Sequence, residues 1–309
     1  MLDILGKRYY LFALSLLIIV PGMILLAVRG FPLAIDFKGG SLLEIKFSSG
    51  KYPELEQVIS LYKNLGISDV QINSTGLDTL IIRSSFMDDP TREKIITEIE
   101  KTFNDKIILN RFDSVGPTIG REVTGRAAAA VAVAAIAVVF YIAFAFRGIP
   151  HAFRYGICAI IAMLHDVLVV LSIAAVGGVF WGWEIDSLFI TALLSVIGYS
   201  VQDKVVVFDR IRENSNILRR LPFEKLANHS IVQTLQRSIN TQLMTVEYML
   251  LALALFGGVT LREFSIILLI GLFSGTYSSI FIAAPILVVW ENKEWQKWFK
   301  PKTNNPTPA

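Results

Sequence analysis

The sequence predicts an α-helical polytopic membrane protein, with six transmembrane helices and one extracytoplasmic α+β domain between the first and second. Three observations carry this reading. Of 309 residues, 53% are hydrophobic and only 18% are charged, where soluble domains carry about 25% charge. The apolar residues gather into runs of spanning length at about 9–28, 127–146, 153–176, 187–207, 239–256 and 264–290. Between the first two runs lies the only long polar stretch, residues 29–126.

The first run follows Lys7-Arg8. It is longer than the ~7–15 apolar residues of a signal-peptide core, and no small-residue cleavage site follows it, so it reads as an uncleaved span over 1–28. Orientation comes from lysine and arginine in the short loops. One side holds Lys7, Arg8, Arg147, Arg154, Arg210, Arg212, Arg219, Arg220, Lys225, Lys293, Lys297, Lys300 and Lys302. The opposite loops, 177–186 and 257–263, hold Arg262 alone. Both termini are therefore expected in the cytoplasm, with 29–126 outside the cell membrane. The net charge of +3 is too small to point to nucleic acid. Cys158 is the one cysteine and sits in an apolar run. It excludes an intramolecular disulfide or a cysteine metal cluster and reads as a packing residue.

Within 29–126, Leu43, Ile45 and Phe47 alternate with Leu42, Glu44 and Lys46 after Gly39-Gly40, a period-two strand. Residues 53–65 carry Leu55, Val58, Ile59 and Tyr62 at helical spacing, and Gly66 stops that helix. Short strands follow at 70–73 and 80–83, joined through Thr75-Gly76. A second helix runs over 90–103 with Ile95, Ile96, Ile99 and Phe103 on one side, and a last strand over 106–112. The order β-α-β-β-α-β is the ferredoxin-like pattern, which by itself fixes no activity.

Spans two to four (127–208) follow. The second is rich in alanine, which suits close helix packing. Residues 209–236 are charged and polar with scattered Ile211, Leu218, Leu221 and Leu226, a composition that suits an amphipathic connector on the cytoplasmic membrane face. There Asp209 with Arg212 and Arg210 with Glu213 stand at i,i+3. Spans five and six occupy 237–290. A cytoplasmic tail, 291–309, ends in a proline-rich polar segment that reads as disordered.

No enzyme site is legible. His151, His165 and His229 make no metal-ligand spacing, and no phosphate-binding loop or nucleophile elbow is present. Gly39-Gly40 lacks the dinucleotide-binding spacing and reads as a turn or a close backbone approach. No cofactor or metal is expected.

Charges inside the spans are the candidates for chemistry: His165 and Asp166 in the third, Asp203 and Lys204 in the fourth, Arg237 at the start of the fifth, and Glu247 within it. Each charge at mid-bilayer costs roughly 2.5–3.5 kcal/mol, so such residues face a bundle interior and mark ion or proton pathways. In an antiparallel hairpin of spans four and five, Asp203 and Arg237 are symmetric about position 220 and lie at similar depth. Two readings follow. In one, a proton entering at Asp203 weakens its pairing with Arg237 and lets the helices rearrange. In the other, the pair is a permanent fixture of helix register. Asp166 either joins this group or bonds nearby backbone. His165, adjacent to it in sequence, points elsewhere on the helix and reads as a satisfied interior histidine. Glu247 lies roughly 15 Å along the helix from Arg237, outside the cluster unless the span is broken. Gly271-Leu272-Phe273-Ser274-Gly275 is a GxxxG packing face.

The residues that stand out are Asp36-Phe37-Lys38-Gly39-Gly40, His165-Asp166, Gly198-Tyr199-Ser200, the run from Val205 through Asp209-Arg210-Ile211-Arg212-Glu213-Asn214, the stretch from Gln233 to Thr241 through Arg237, and Phe256-Gly257-Gly258. Over nearly its whole length the chain resembles the SecF family of bacterial protein-export membrane proteins, in the resistance-nodulation-division superfamily. The resemblance implies six spans, a periplasmic domain after the first, and a complex with SecD. It also implies work beside the SecYEG channel and the motor SecA, with proton flow helping to draw preproteins across the lipid bilayer. It further implies a proton site formed by Asp203 and Arg237, with a second aspartate supplied by SecD. The chain departs from the family with Gln202-Asp203-Lys204, where Asn-Asp-Thr is usual, and with Glu247, where apolar or hydroxyl residues are usual. Lys204 either snorkels to the interface or stabilises ionised Asp203. The rival readings are a structural subunit without ion coupling and a small-molecule exporter of the same superfamily. Such exporters carry two large external domains, against the single external domain here.

Overall fold

Long apolar runs make helices because a helix satisfies its own backbone hydrogen bonds where water is absent. The structure, a computed structural model, describes residues 3–147, 152–256 and 259–298. His151, Gly257, Gly258, and the polar tail with Lys300 and Lys302 lie outside the described residues. Among the described residues, five helices are long and apolar enough to cross a membrane by length and composition: Leu5–Arg29, Pro117–Ala145, Ala152–Phe180, Ser187–Ile217 and Leu261–Glu291. The first is a short 3-10 turn leading into α1 (Arg8–Arg29); the next three are α5, α6 and α7. The last joins α10 (Val259–Ser278), a π turn Ser279–Ala283 and α11 (Ala284–Glu291).

The span expected at 239–256 is not one of these five. Its residues fall on α8 (Phe223–Gln242), a π turn Leu243–Glu247 and α9 (Tyr248–Phe256). The three run without a break from Phe223 to Phe256, and the strongly apolar end, α9, has 9 residues. Residues 209–236 form no separate connector helix either. Residues 209–217 are the last turns of α7, the chain reverses over 218–222, and α8 begins at Phe223. Ile211, Asn214, Leu226 and Ser230 are buried, because the two helix ends pack on each other. Asn214 Nδ2 donates to Ser230 Oγ at 2.8 Å and to Gln233 Oε1 at 2.9 Å. Both expected i,i+3 ion pairs, Asp209–Arg212 at 3.1 Å and Arg210–Glu213 at 2.6 Å, are present.

The chain divides into two compact units, Met1–Gly30 with Val131–Gly177 and Leu188–Ala309, and Phe31–Ala130 with Gly178–Ser187. The second unit contains α2 (Ile35–Lys38), β1 (Gly40–Phe47), α3 (Leu55–Asn64), β2 (Gln71–Thr75), β3 (Thr79–Ser84), α4 (Asp89–Phe103) and β4 (Ile107–Val115). The sheet order is β2-β3-β1-β4, every pair antiparallel. Alternation along β1 sends Leu43, Ile45 and Phe47 to a core shared with Val58, Tyr62, Leu80, Ile82, Ile95 and Ile99. The helix α4 starts one residue earlier than Pro90 suggests, because Asp88 caps it by accepting from Thr91 N at 3.1 Å.

Gly39 and Gly40 have φ of +76° and +129°, where a side chain is strained. A Cβ at Gly39 would also lie 2.9 Å from Pro117 Cα, and one at Gly40 would lie 2.7 Å from Ser84 O. The close-approach reading is therefore the observed one. The segment Gly178–Ser187, which takes in most of the short loop expected at 177–186, is bound into this unit. Ile185 bridges Leu33, Glu184 Oε2 accepts from Arg83 Nε at 2.8 Å, and Ser187 donates from N and Oγ to Asp36 Oδ2 at 3.0 and 2.7 Å. Burial sets the Glu184 carboxyl above its usual range, and the charge of Arg83 offsets part of that.

Candidate functional site

The charged residues singled out in the sequence separate into two neighbouring but different sites in the first unit. On α7, Ser200 and Lys204 are four residues apart and share a face. On α10, Ser274 and Ser278 do the same. Asp166 of α6 sits between them and is fully buried. Its Oδ1 accepts from Ser274 Oγ at 2.7 Å and faces His165 Nδ1 at 3.1 Å. Its Oδ2 accepts from Ser200 Oγ at 2.6 Å, Ser278 Oγ at 2.7 Å and Lys204 Nζ at 2.8 Å. Lys204, also fully buried, completes its three donors on Ser200 O at 3.0 Å and Ser200 Oγ at 2.5 Å.

A buried ion pair recovers its desolvation cost only when the remaining lone pairs and protons are satisfied, and here they are. Lys204 neither snorkels nor turns to Asp203. It is the direct partner of Asp166. The helices approach closely enough for this because α10 presents glycine. A Cβ at Gly271 would overlap the Val196 side chain, and one at Gly275 would lie 3.3 Å from Ser200 Cα. The GxxxG motif thus packs α10 on α7 within one chain. His165 meets Asp166 despite their adjacency on the helix, since the ring and carboxylate tips converge where the Cβ positions diverge. The ring also stacks on Tyr277 at 6.2 Å.

Asp203 sits one residue away and is held differently. It is 7% exposed. Its Oδ2 accepts two long hydrogen bonds, from Gln242 Nε2 at 3.3 Å and Thr276 Oγ1 at 3.4 Å. Among the described residues Arg237 and Asp203 form no ion pair. The Arg237 side chain is exposed on its helix. The hairpin does turn at 218–222, around the symmetry point expected from the sequence. Glu247 joins neither site. It closes the π turn and is 4% exposed, and neither carboxyl oxygen has a hydrogen-bond partner among the described residues.

Gln242, Thr276, Ser274 and Ser278 are site residues that the reading of charges overlooked. One signal was present: Gly271, Ser274, Gly275 and Ser278 recur at spacings of three and four along one helix face. Among the described residues, no group of three or more His, Cys, Asp or Glu side chains is arranged to hold a metal ion.

The profile described as "Protein export membrane protein SecD/SecF, C-terminal" matches residues 94–293, and that described as "SecD/SecF GG Motif" matches residues 24–51. The chain belongs to the SecD/SecF family. It is 68% identical over 300 residues to the protein translocase subunit SecF of Anaerolinea thermophila, covering 97% of each chain. It is 48% identical to that of Thermobaculum terrenum, again over 97% of each chain. The crystal structure of SecDF from Thermus thermophilus, a translocon-associated membrane protein, superposes with a TM-score of 0.81 at 32% identity, covering 94% of this chain and 39% of that one. The GG profile falls on the strained Gly39-Gly40 turn. The SecD/SecF C-terminal profile spans α5 to α11 and contains Asp166, Asp203, Lys204, Arg237 and Glu247.

Proposed function

We propose that this SecF-family chain is an accessory subunit of the Sec protein translocase. In this reading it works with a SecD-like partner beside the SecYEG channel and SecA, and it uses the proton gradient to promote preprotein export. The partner is supported by relatives named SecDF, in which a matching segment is part of a longer chain, such as that of Thermus thermophilus at 33% identity over 39% of its length. In this reading six helices cross the membrane, the hairpin of α8 and α9 included, and both termini are cytoplasmic. The external unit is ferredoxin-like, as its β2-β3-β1-β4 antiparallel order supports, and corresponds to residues 29–126 of the sequence.

One observation carries the proton assignment: Asp203 is buried but holds two hydrogen bonds longer than 3.2 Å, whereas Asp166 is saturated by donors. A carboxylate that loses little when it is protonated is fit to cycle. Asp203 takes up a proton, and its attraction to Arg237 and its hold on Gln242 and Thr276 weaken together. The contact of α7 with α8 and α10 then relaxes. Arg237, exposed on its helix, stands ready to pair with Asp203 or with an acidic group of the partner. The competing reading, a structural subunit without ion coupling, draws on the locked Asp166–Lys204 pair. Asp203→Asn decides between them. Proton-driven stimulation of late export in membrane vesicles is expected to disappear, and full retention would leave the structural reading standing.

A further inference from the structure

The helix that brings Gln242 to Asp203 does not continue regularly. Residues Leu243–Glu247 form a π turn, and such turns are rare and concentrate at functional positions. Glu247 ends this one. Its side chain is 4% exposed, and both carboxyl oxygens are buried with no hydrogen-bond partner among the described residues. No ion pair reaches it among the described residues. An ionised carboxylate left unpaired in apolar surroundings costs far more than a neutral carboxyl. The enclosed oxygens leave room for a ligand no larger than a proton. A partner's ammonium or a hydrated cation would have to open the fold to reach them.

We propose that Glu247 is a second proton-holding site of this chain, which delivers protons to Asp203 from the extracytoplasmic side. The direction rests on the orientation and relay proposed above. Gln242 meets Asp203, and Glu247 lies five residues farther from the cytoplasmic turn at 218–222, roughly 7 Å along the helix. A proton entering from outside therefore reaches the depth of Glu247 before that of Asp203. The π turn supplies the means of transfer, since a helix with one residue too many can shift its register locally and carry a side chain around its axis.

The test uses the full chain in lipid membranes, read by infrared spectroscopy. At pH 7 the wild type is expected to show the C=O stretch of a protonated carboxyl that shifts in heavy water. Glu247→Gln is expected to lose that band, and Asp203→Asn to keep it. In vesicles, Glu247→Gln is expected to shift the pH profile of proton-driven export. Absence of a band that depends on Glu247, or an unmoved pH profile, overturns the proposal. If Asp203→Asn retains export, the relay reading fails separately, and the band still judges Glu247 as a proton site. Glu247→Leu is expected to melt no lower than the wild type, because an unpartnered carboxyl leaves nothing to break. A large fall in melting temperature would reveal a partner and sink the idea.

Discussion

Asp166 and Asp203 are both aspartates of one helix bundle, both more than nine-tenths buried, and each is close to a residue of opposite charge in sequence or space. Asp166 meets Lys204, three serine hydroxyls and His165. Asp203 meets two long hydrogen bonds on one oxygen. The difference lies in what surrounds them and not in burial. Protonating Asp166 would cancel a contact ion pair and disrupt a network that spans α6, α7 and α10. Protonating Asp203 breaks little. The comparison teaches that in an apolar bundle burial alone does not say how firmly a charge is held.

The largest effect is expected where the network loses one charge. Lys204→Ala leaves Asp166 buried and uncompensated, a loss of about 3–5 kcal/mol, measurable as a lowered unfolding midpoint of the protein in detergent. Replacing both partners, Asp166→Leu with Lys204→Met, is expected to recover most of that loss. If the double variant is as unstable as the single one, the pair is not the unit described.

Next in size is the packing that brings the hydroxyls to Asp166. Gly271→Ala forces its methyl into Val196 and is expected to cost about 1–3 kcal/mol, checked by the same unfolding measurement. A neutral result would mean that α10 can retreat from α7 without harm to the network.

Asp203→Asn is expected to change stability by less than about 1 kcal/mol, since the amide can keep hydrogen bonds of this length, while proton-driven export is lost. A large stability change would erase the contrast with Asp166.

The smallest effect lies at the ends of the spans. Arg8 donates to Glu294 at 2.6 Å and to Glu224 at 2.7 Å, and Asn228 Oδ1 accepts from Ile4 N at 3.0 Å. Burial opposes ionisation of Glu294, but hydrogen bonds from Arg8, Tyr9 and Asn292 outweigh it and hold its carboxyl below the usual range. A depressed folded-state value means that this contribution is present above the ordinary glutamate range, about pH 4.3, and is lost as pH falls through the lower folded value. Protection of the amides around residues 4–8, taken relative to their intrinsic exchange rate at each pH, is expected to fall only in acid. A loss of protection above pH 6 would show that another group controls the clasp.

The strands and helices of the second unit were legible because one-sided burial imposes period two or 3.6 on Leu43, Ile45 and Phe47 or on Ile95 and Ile99. The turn near position 220 was legible because polar residues cannot continue a span. The boundary between the connector at 209–236 and the span at 239–256 was not legible, because composition does not show that α7 ends at Ile217 and that α8 runs from Phe223 across it. The charged side chains of the site were visible as misfits in apolar runs, yet their pairing was not.

By itself the sequence determined which residues would be costly in a membrane and therefore required partners. Only the tertiary structure decided that Lys204 belongs to Asp166 and that Asp203 is loosely held. Adjacent residues on a helix point about 100° apart. Which neighbour each one meets depends on the α6 and α10 surfaces, far away in the chain, that packing sets beside α7.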